Sequence, residues 1–415
     1  MRLSLIWEGC MNFLYDLTAT QPKGKIKFAG GEGYAEVVFF KILESVNELK
    51  AQGVSLFAAY TSRQFINPIL LEKTKNAGVH LIDIQNESPY EIFEKYKITR
   101  FYSALLSEFT HWNLDYCQTI ATVHGLRGLE MPLDSFALKY AMPLKAKIKY
   151  WLNLRVPFFT ARKSKGEYRG YSRFFDGKKR IVTVSWHSKA SILSYFPKMK
   201  SEDIQVFASP SFDSLDKNIF EATDFSEISK TLNVLPKKYF LITSGARWMK
   251  NALRAILAFD SLFSDGRLSD MKVVITGVTD KSIFKKRIKH KEKFAMTGFV
   301  ERDELEALNK NAYCFVFPTL NEGFGYPPVE AMKYATPSIC SGTASMPEVC
   351  GLAALYFNPY SVSEIKNRII QTMLPEIYRS LCNNAIVQYK KISQMQRQDL
   401  QNLVKYLFSE TGAEI

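Results

Sequence analysis

The stretch CFVFPTLNEGFGYPPVEAMKYATPSIC, residues 314–340, contains a complete strand–loop–helix–strand pattern. Its apolar run Cys314–Phe317 predicts a buried strand, and Pro337–Cys340 predicts the next one, with a helix between them. A strand, a helix and a second strand in this order form the repeating unit of a parallel sheet. The stretch therefore predicts an α/β fold around it.

The same alternation extends through most of the chain. The strands are short, almost continuous apolar runs, which is typical of parallel sheets covered on both faces. Further strands are predicted at Leu3–Trp7, Val54–Tyr60, Val79–Ile84, Thr119–His124, Ile181–Ser185, Tyr239–Thr243 and Met271–Thr276. Helices are predicted at Ala35–Leu49, Asn251–Phe263 and Asp303–Asn309.

The alternation breaks at residues 208–236, a stretch rich in Ser, Asp and Pro that we interpret as a linker. It separates two predicted Rossmann-like domains, residues 1–215 and 216–388. The helical pattern Ile377–Phe408 predicts a C-terminal helix, and we expect residues 389–415 to return toward the N-terminal domain. Two such domains in tandem form a cleft, with the chemistry on loops that follow strands.

The composition narrows the class of protein. The 415 residues are 47% hydrophobic and 23% charged, which excludes a disordered or fibrous chain. The net charge of +14 indicates an acidic partner, such as nucleic acid, an anionic membrane or a phosphorylated ligand. The six cysteines are scattered without a CxxC pair, which indicates reduced thiols in a cytoplasmic protein. No apolar run is long enough to predict a transmembrane helix.

Two carboxylates mark the most informative loop. Glu322 lies beside Gly323 and Gly325, and Glu330 falls about one turn into the helix that follows. Because one carboxylate projects from the loop and the other from the helix that the loop opens, both can face one ligand. The free N–H groups of Gly325 and Tyr326 lie at the helix N-terminus, where polar or anionic groups bind. A single glutamate in a first helical turn is often only a favourable partner of the helix dipole.

The motif EGFGYPPVE resembles the E-x7-E signature of retaining GT-B glycosyltransferases of family 4. Downstream, ATPSICSGTASMPEVCGLAALYFNP is similar to the family's small-residue segment, and upstream MTGFVERDELEALNKNAYCFVFPT is similar to its helix–strand stretch. The resemblance covers most of residues 239–359. It implies the GT-B fold and transfer of a sugar from a nucleoside diphosphate donor to a hydroxyl, with retention and without a metal or other cofactor.

The resemblance also implies roles for residues of the C-terminal domain. Lys250 and Arg247 would bind the leaving diphosphate, although many family members carry Arg directly before the Lys, where Met249 stands here. Glu330 would bind the donor ribose. The donor sugar would be held by Glu322 and the loop of Gly323, Phe324, Gly325 and Tyr326, and the nucleobase would lie near Gly298 and Val300.

The N-terminal domain contributes three candidates. Gly31 and Gly33, in AGGEGYAEVVFFKIL, resemble the family's first glycine loop, which lies near the donor phosphate and the acceptor. His124, in TVHG, ends a predicted strand and resembles a histidine near the sugar or acceptor. A structural histidine at a strand end is the alternative interpretation.

The positive charge is concentrated in residues 136–180, the basic aromatic segment. Thirteen Lys and Arg residues stand there against Glu167 and Asp176, a net charge of +11, with aromatic residues interleaved. This mixture suits an anionic membrane surface and also single-stranded nucleic acid. A solvated helix pair is the plain alternative. Because the chain resembles a glycosyltransferase, we expect a membrane surface, with a sugar or lipid-linked glycan as the acceptor and nucleic acid disfavoured.

Other functions fit part of the pattern. A GT-B sugar-nucleotide epimerase would use the same donor residues, and a phosphorylase would need a pyridoxal lysine site, for which no motif is present. A non-catalytic protein could use the basic aromatic segment to bind RNA or a membrane. Intact Glu322, Glu330 and Lys250 favour the transferase, in the synthesis of cell-surface polysaccharide or lipid-linked glycan.

Overall fold

The computed structural model describes residues 10–22, 30–105, 112–140, 142–212 and 224–409. The chain forms two compact units. The first is built from residues within 1–126, 171–217 and 393–415, and the second from residues within 127–170 and 218–392. Residues 127–170, which the sequence placed in the predicted N-terminal domain, thus group with the second unit.

The first unit contains a seven-stranded, entirely parallel sheet. Its spatial order is β3-β2-β1-β4-β5-β6-β7. Successive strands are therefore added toward one edge of the sheet up to β3 and toward the other edge from β4 onward. The strands are β1 (Met11–Asp16), β2 (Val54–Tyr60), β3 (His80–Asp83), β4 (Arg100–Ser103), β5 (Gln118–Val123), β6 (Arg180–Thr183) and β7 (Ile204–Val206).

Among the described residues, five helices belong with this sheet. They are α1 (Gly30–Glu44), α2 (Val46–Ala51), α3 (Pro68–Asn76), α4 (Pro89–Lys95) and α8 (Trp186–Tyr195). The helix predicted at Ala35–Leu49 begins earlier, at Gly30, and is interrupted at Ser45. The strand predicted at Leu3–Trp7 lies outside the described residues, and the first strand described is β1.

The second unit contains a six-stranded parallel sheet in the order β10-β9-β8-β11-β12-β13. Its strands are β8 (Tyr239–Ile242), β9 (Lys272–Ile275), β10 (Phe294–Met296), β11 (Cys314–Phe317), β12 (Ser338–Ser341) and β13 (Ala354–Phe357). The two strands predicted from residues 314–340 are therefore neighbours, β11 and β12. The predicted α/β class with two parallel sheets is confirmed.

In the part of the chain that the structure describes, ten helices lie within or largely within the second unit. They are α5 (Arg127–Glu130), α6 (Leu144–Arg155), α7 (Pro157–Ser172), α9 (Phe225–Leu232), α10 (Ala252–Ser264), α11 (Ser282–Lys285), α12 (Arg302–Asn311), α13 (Tyr326–Met332), α14 (Met346–Cys350) and α15 (Val362–Thr372). Helix α9 falls in the stretch predicted as a linker. Asp224 accepts a hydrogen bond from the Ser226 N–H and starts this helix, and its Ile228 is buried.

Buried side chains cover both faces of the second sheet. On one face α10 packs Ile256 and Phe259 against Phe240 of β8, with the two phenylalanine ring centroids 4.8 Å apart. On the other face Leu308 of α12 and Met332 of α13 join a second buried cluster. Because neither face meets water, β8 and β11 consist entirely of buried residues, as their unbroken apolar sequences predict.

The long helix α16 (Pro375–Phe408) ends on the first unit. The Arg100 guanidinium donates to the Leu407 carbonyl at 2.7 Å, and the rings of Phe13 and Phe408 lie 4.5 Å apart. These contacts hold the last turns of the helix against β1 and β4. Across the ranges that the structure describes, no helix is both long enough and apolar enough to cross a membrane.

Candidate active site

The candidate site of the second unit lies at the point where the strand order of its sheet reverses, between β8 and β11. Strands β8 and β11 are neighbours in the sheet but are separated in the chain by β9 and β10. Ligands of such sheets bind beyond the carboxyl ends of the strands at this point. The loop after β8 carries Arg247 and Lys250, and the loop after β11 carries Glu322. The topology thus brings together two sequence motifs that are 72 residues apart.

Lys250 and Glu322 form a mostly buried ion pair. The Lys250 ammonium donates to Glu322 Oε1 at 2.6 Å, and the two side chains are 12% and 13% exposed. The Thr319 hydroxyl donates to the same carboxylate oxygen at 2.8 Å. The Lys250 ammonium also lies 4.8 Å from the centre of the Phe317 ring. The pair is held in one geometry by its neighbours.

The charge of this pair is set by its surroundings. Burial alone would raise the pKa of Glu322, but Lys250, Arg127 and the Thr319 hydroxyl together hold that pKa below its ordinary value. Burial lowers the pKa of Lys250, and the guanidinium groups of Arg247 and Arg127 add to this effect against the attraction of Glu322. Glu322 is therefore ionised at neutral pH, and the cations Lys250 and Arg127 stabilise its charge.

Asn251 joins the two loops through its side chain. Its backbone is left-handed, with φ of 57°, and its amide nitrogen donates to the carbonyls of Pro318 and Pro359 at 2.9 and 2.7 Å. The Leu320 N–H donates to the Met249 carbonyl at 2.9 Å. The loops after β8 and β11 are consequently fixed to each other on both sides of Lys250.

The turn between Glu322 and α13 depends on Gly325. Its φ is +100°, and an added Cβ would lie 2.0 Å from the Met346 Cε. The Ser345 hydroxyl bonds to the carbonyls of Glu322 and Phe324, each at 3.0 Å. Pro residues occupy the first turn of α13, as predicted. The loop that holds Gly323 and Tyr326 therefore has a defined path into the helix, and Glu330 follows within it, partly exposed.

Gly298 and Val300 lie in the loop between β10 and α12 and are both half-buried. The Gly298 carbonyl accepts from the Gly277 N–H at 2.7 Å. The Ala246 N–H in turn donates to the Gly277 carbonyl at 3.1 Å. A chain of backbone hydrogen bonds thus joins the Gly298 loop to the loop that carries Lys250.

Arg247 differs from its neighbour Lys250. Its side chain is exposed, and its carbonyl accepts from the Lys250 N–H at 2.8 Å at the start of a short 3₁₀ turn. Its charge still reaches Lys250, since it contributes to the lowered pKa of that ammonium. Arg247 is therefore near the ion pair but is not fixed to it.

The candidates of the first unit lie together near the ends of β4 and β5. The His124 Nε2 lies 3.0 Å from the Ala104 carbonyl, and the Tyr34 ring meets the imidazole edge-on at 4.7 Å. Burial lowers the pKa of His124 to about 4, so the ring is neutral at pH 7. Gly31 packs on Leu105, where an added Cβ would lie 2.8 Å from the Leu105 Cδ2, and Gly33 is buried.

A buried ion pair beside the site was not predicted from the sequence. The Nη1 and Nη2 atoms of Arg254 donate to the two oxygens of the Asp134 carboxylate, at 2.7 and 2.8 Å. Both side chains are 6% exposed. Arg254 also donates to the Asn251 Oδ1 at 2.9 Å. The Tyr140 hydroxyl accepts from the Leu253 N–H at 2.9 Å. These bonds join residues 134–140 to α10 and explain why that stretch belongs to the second unit.

Helix α5 supplies two further contacts that the sequence motifs did not single out. The Glu130 carboxylate accepts from the Asn321 side chain at 2.5 Å, and Arg127 Nη2 lies 3.5 Å from the Asn321 carbonyl. Asn321 directly precedes Glu322. The only local signal for these residues is their position after the TVHG motif, because their partners are more than 190 positions away.

Comparisons with known proteins place part of the second unit in a known sequence family. Residues 224–389 match the family model of the glycosyl transferases group 1. The match spans the loops after β8 and β11, and it contains the candidate residues of the second unit.

Two curated relatives are mannosyltransferases. The chain is 41% identical over 98 residues to the serotype-specific mannosyltransferase WbdA of Escherichia coli, covering 23% of this chain and 12% of that protein. It is 29% identical over 185 residues to the O-antigen chain mannosyltransferase RfbU of Salmonella typhimurium, covering 44% of this chain and 47% of that protein. The chain thus matches less than half the length of either relative.

A solved structure extends the likeness to the whole fold. Anabaena HepE in complex with UDP and glucose aligns with a TM-score of 0.61 and 12% identity, covering 95% of this chain and 99% of that one. At this identity the likeness concerns the fold. The two parallel-sheet Rossmann-like units are those of the GT-B fold, as the sequence predicted.

Proposed function

We propose that this protein is a glycosyltransferase that moves a sugar from a nucleoside diphosphate donor to a hydroxyl of a glycan acceptor. The main support for this proposal is the buried Lys250–Glu322 pair, which lies where the strand order of the second sheet reverses. The match of residues 224–389 to glycosyl transferases group 1 supports it. HepE, with the same fold, binds UDP and glucose.

In this proposal the candidate residues bind different parts of the sugar nucleotide. Lys250 and Arg247 bind the diphosphate, Glu330 binds the ribose, and the nucleobase lies by Gly298 and Val300. Glu322 and the turn Gly323–Tyr326 hold the hydroxyls of the donor sugar. In the first unit, Gly31, Gly33 and His124 serve the donor phosphate and the acceptor.

We assign the transfer to the retaining class, as in family 4. The acceptor oxygen bonds to the anomeric carbon while the bond from that carbon to the β-phosphate oxygen breaks. The electron pair leaves with the phosphate, which then takes the proton of the acceptor hydroxyl. Fixed cations stabilise the charge that develops on this phosphate. Because Lys250 and Arg247 supply this positive charge, we propose that no metal ion or other cofactor is required.

The proposed acceptor is a growing polysaccharide or a lipid-linked glycan. RfbU is an O-antigen chain mannosyltransferase, which supports this class of acceptor. We place the enzyme in the cytoplasm, where such a lipid-linked acceptor would require it to work at the inner membrane surface.

Helix α6 has an apolar face suited to that surface. Leu144, Ile148 and Trp151 recur at a spacing of four and three residues and therefore share one side of the helix. They are 74%, 51% and 49% exposed. Lys145 and Lys149 are exposed beside them.

Helix α7 is also exposed and rich in positive charge. Phe158 is 67% exposed, and no residue of the helix is buried. Over residues 144–172 eight Lys and Arg stand against Glu167 alone. Exposed aromatic and apolar side chains among cations suit an anionic lipid interface. We therefore propose that α6 and α7 bind the protein to a negatively charged membrane.

Vesicle flotation tests this part of the proposal. The protein should float with vesicles that contain phosphatidylglycerol and much less with pure phosphatidylcholine. The triple variant L144S/I148S/W151S should lose this binding. A control variant, L235S/L352S/V387S, removes three apolar side chains elsewhere that are 65%, 81% and 68% exposed, and it should float normally. Equal flotation with both lipids, or none, would overturn the assignment.

The transferase itself is tested by mass spectrometry. The protein is incubated separately with UDP-, GDP- and ADP-sugars, with and without EDTA. We expect one class of donor to release its nucleoside diphosphate, with no loss of rate in EDTA. An epimerised sugar nucleotide without release would instead identify an epimerase, and RNA binding without turnover a non-catalytic protein.

A further inference from the structure

Arg127 is a third cation at the candidate site, and neither the sequence motifs nor the family match includes it. It begins α5, directly after the segment that follows β5. Its charge lowers the pKa of both Glu322 and Lys250, so the guanidinium lies within electrostatic reach of both members of the pair. The family match begins at residue 224, about a hundred positions further along the chain.

The guanidinium of Arg127 is held loosely. Within the described ranges its one hydrogen bond, from Nη2 to the Asn321 carbonyl, is 3.5 Å long, at the limit of such a bond. Its Nε is buried without a hydrogen-bond partner among the described residues. Leaving a buried donor without a partner is unfavourable, so this group favours a ligand that accepts a hydrogen bond.

The helical turn that carries Arg127 is nevertheless anchored at both ends. At the other end of the same helical turn, the Glu130 carboxylate accepts from the Asn321 side chain at 2.5 Å. Both ends of α5 therefore contact the residue that precedes Glu322. The helical turn that carries Arg127 is thus attached to the loop that carries Glu322.

The balance of charge indicates what the ligand is. Lys250 and Glu322 neutralise each other at 2.6 Å, and no ion pair of Arg127 is present in the described part of the chain. The surplus positive charge next to the pair therefore comes from Arg127 and from the exposed Arg247. A planar guanidinium binds phosphate oxygens through two donors at once.

We propose that Arg127 is a donor-binding residue that contacts the diphosphate beside Lys250 and takes the greater share of the task assigned to Arg247. This inference rests on the proposed function. In the transfer step, Arg127 would stabilise the negative charge that passes to the β-phosphate when the bond to the anomeric carbon breaks.

Calorimetric titration of the full chain with UDP, GDP and ADP, and with the matching nucleosides, tests this role. For the nucleotide that binds most tightly, Arg127→Gln should weaken affinity by more than about tenfold, which is about 1.4 kcal/mol. The affinity for the matching nucleoside should not change. Arg127→Lys should recover part of the loss because it keeps the charge without the fork.

Two further variants distinguish direct phosphate binding by Arg127 from an indirect effect. Arg267→Gln removes an exposed arginine elsewhere in the second unit and should bind all ligands normally. Arg247→Gln should weaken nucleotide binding less than Arg127→Gln. If Arg127 only supports Asn321, its loss would weaken nucleoside and nucleotide binding alike, and the inference fails.

The outcomes also separate this inference from the proposed function. If the wild-type protein binds none of the three nucleoside diphosphates, the proposed function fails. If it binds one of them and Arg127→Gln binds it equally well, the proposed function stands and the role of Arg127 is rejected.

Discussion

The Lys250 ammonium lies 2.6 Å from the Glu322 carboxylate although the two residues belong to loops after different strands. Breaking such a pair by removing one partner leaves an uncompensated buried charge. Lys250→Met and Glu322→Gln should therefore each destabilise the second sheet, by up to about 3 kcal/mol, and the double variant should lose less than the sum.

Hydrogen exchange measured by mass spectrometry on peptides of β8 and β11 gives these free energies of opening. A coupling energy of more than about 0.5 kcal/mol is expected from the double-mutant cycle. Strict additivity would mean that the two groups do not stabilise each other.

Gly325 should be essential for the turn into α13. Its φ of +100° is strained for any other residue, and a Cβ there would meet Met346. Gly325→Ala should lower donor turnover more than about tenfold, or about 1.4 kcal/mol of barrier. The double variant with Met346→Ala should recover only part of it, since the backbone strain remains.

Gly266→Ala is the matched control for Gly325→Ala. Gly266 also has a positive φ, of +71°, but an added Cβ would meet nothing within 4 Å. It should cost some stability and leave turnover unchanged. Equal losses of turnover in the two variants would show that the Gly325 turn has no special role.

The Asp134–Arg254 pair should stabilise the candidate site through Asn251. Asp134→Asn removes one partner of a buried bidentate pair and should lower the opening free energy of the second sheet by about 3 kcal/mol. Turnover should fall as well, because Arg254 holds Asn251, which joins the two site loops.

Asp265→Asn is the comparison for Asp134→Asn. The Asp265 side chain is 48% exposed, and its contact with Lys366 is 3.3 Å long. Loss of such a surface pair should cost less than about 1 kcal/mol. Hydrogen exchange and donor turnover are measured for both variants, and similar effects would contradict a special role for the buried pair.

The first unit should show two opposing pH effects. Burial lowers the pKa of His124 to about 4, from an ordinary value near 6.5. The unfolded chain then binds more protons between these values, so this group adds stability as pH rises from about 4 to 6.5. Burial raises the pKa of Asp16 to about 6, which makes its contribution fall as pH rises from about 3.8 to 6.

Because the two effects oppose each other, single variants should reveal them. His124→Asn should remove the first, so that its stability relative to wild type improves as pH falls from 6.5 to 4. Asp16→Asn should remove the second, so that its stability relative to wild type falls as pH falls from 6 to 4. Urea unfolding at a series of pH values measures both, and parallel curves for wild type and either variant would contradict the assigned shift.

Much of the fold follows from local sequence. Val54–Tyr60, which is apolar except for Ser55, and Cys314–Phe317, which is apolar throughout, form the predicted strands. Strand β1 was not predicted because Asn12 and Asp16 interrupt its apolar pattern, yet Asp16 is buried with hydrogen bonds from Thr18 and Ser103. Strands β7 and β10 are three residues long, too short for a periodic signal.

The candidate site divides in the same way. Lys250, Glu322 and Gly325 belong to compact local motifs, so the sequence alone predicts them as candidates. Arg127 and Asp134 owe their importance to partners far along the chain; Asp134 and Arg254, for example, are 120 positions apart. No local pattern encodes such a pairing, and only the folded chain reveals it.

The donor site is tested most sharply by the turnover of the preferred sugar nucleotide in Lys250→Ala and Glu330→Ala, with Lys289→Ala, an exposed lysine of the same unit, as control. We expect the wild-type protein and the control to release nucleoside diphosphate at similar rates. Lys250→Ala and Glu330→Ala should each be slower by more than about tenfold, or about 1.4 kcal/mol of barrier. Near-wild-type rates in either variant would contradict the donor site described for the second unit.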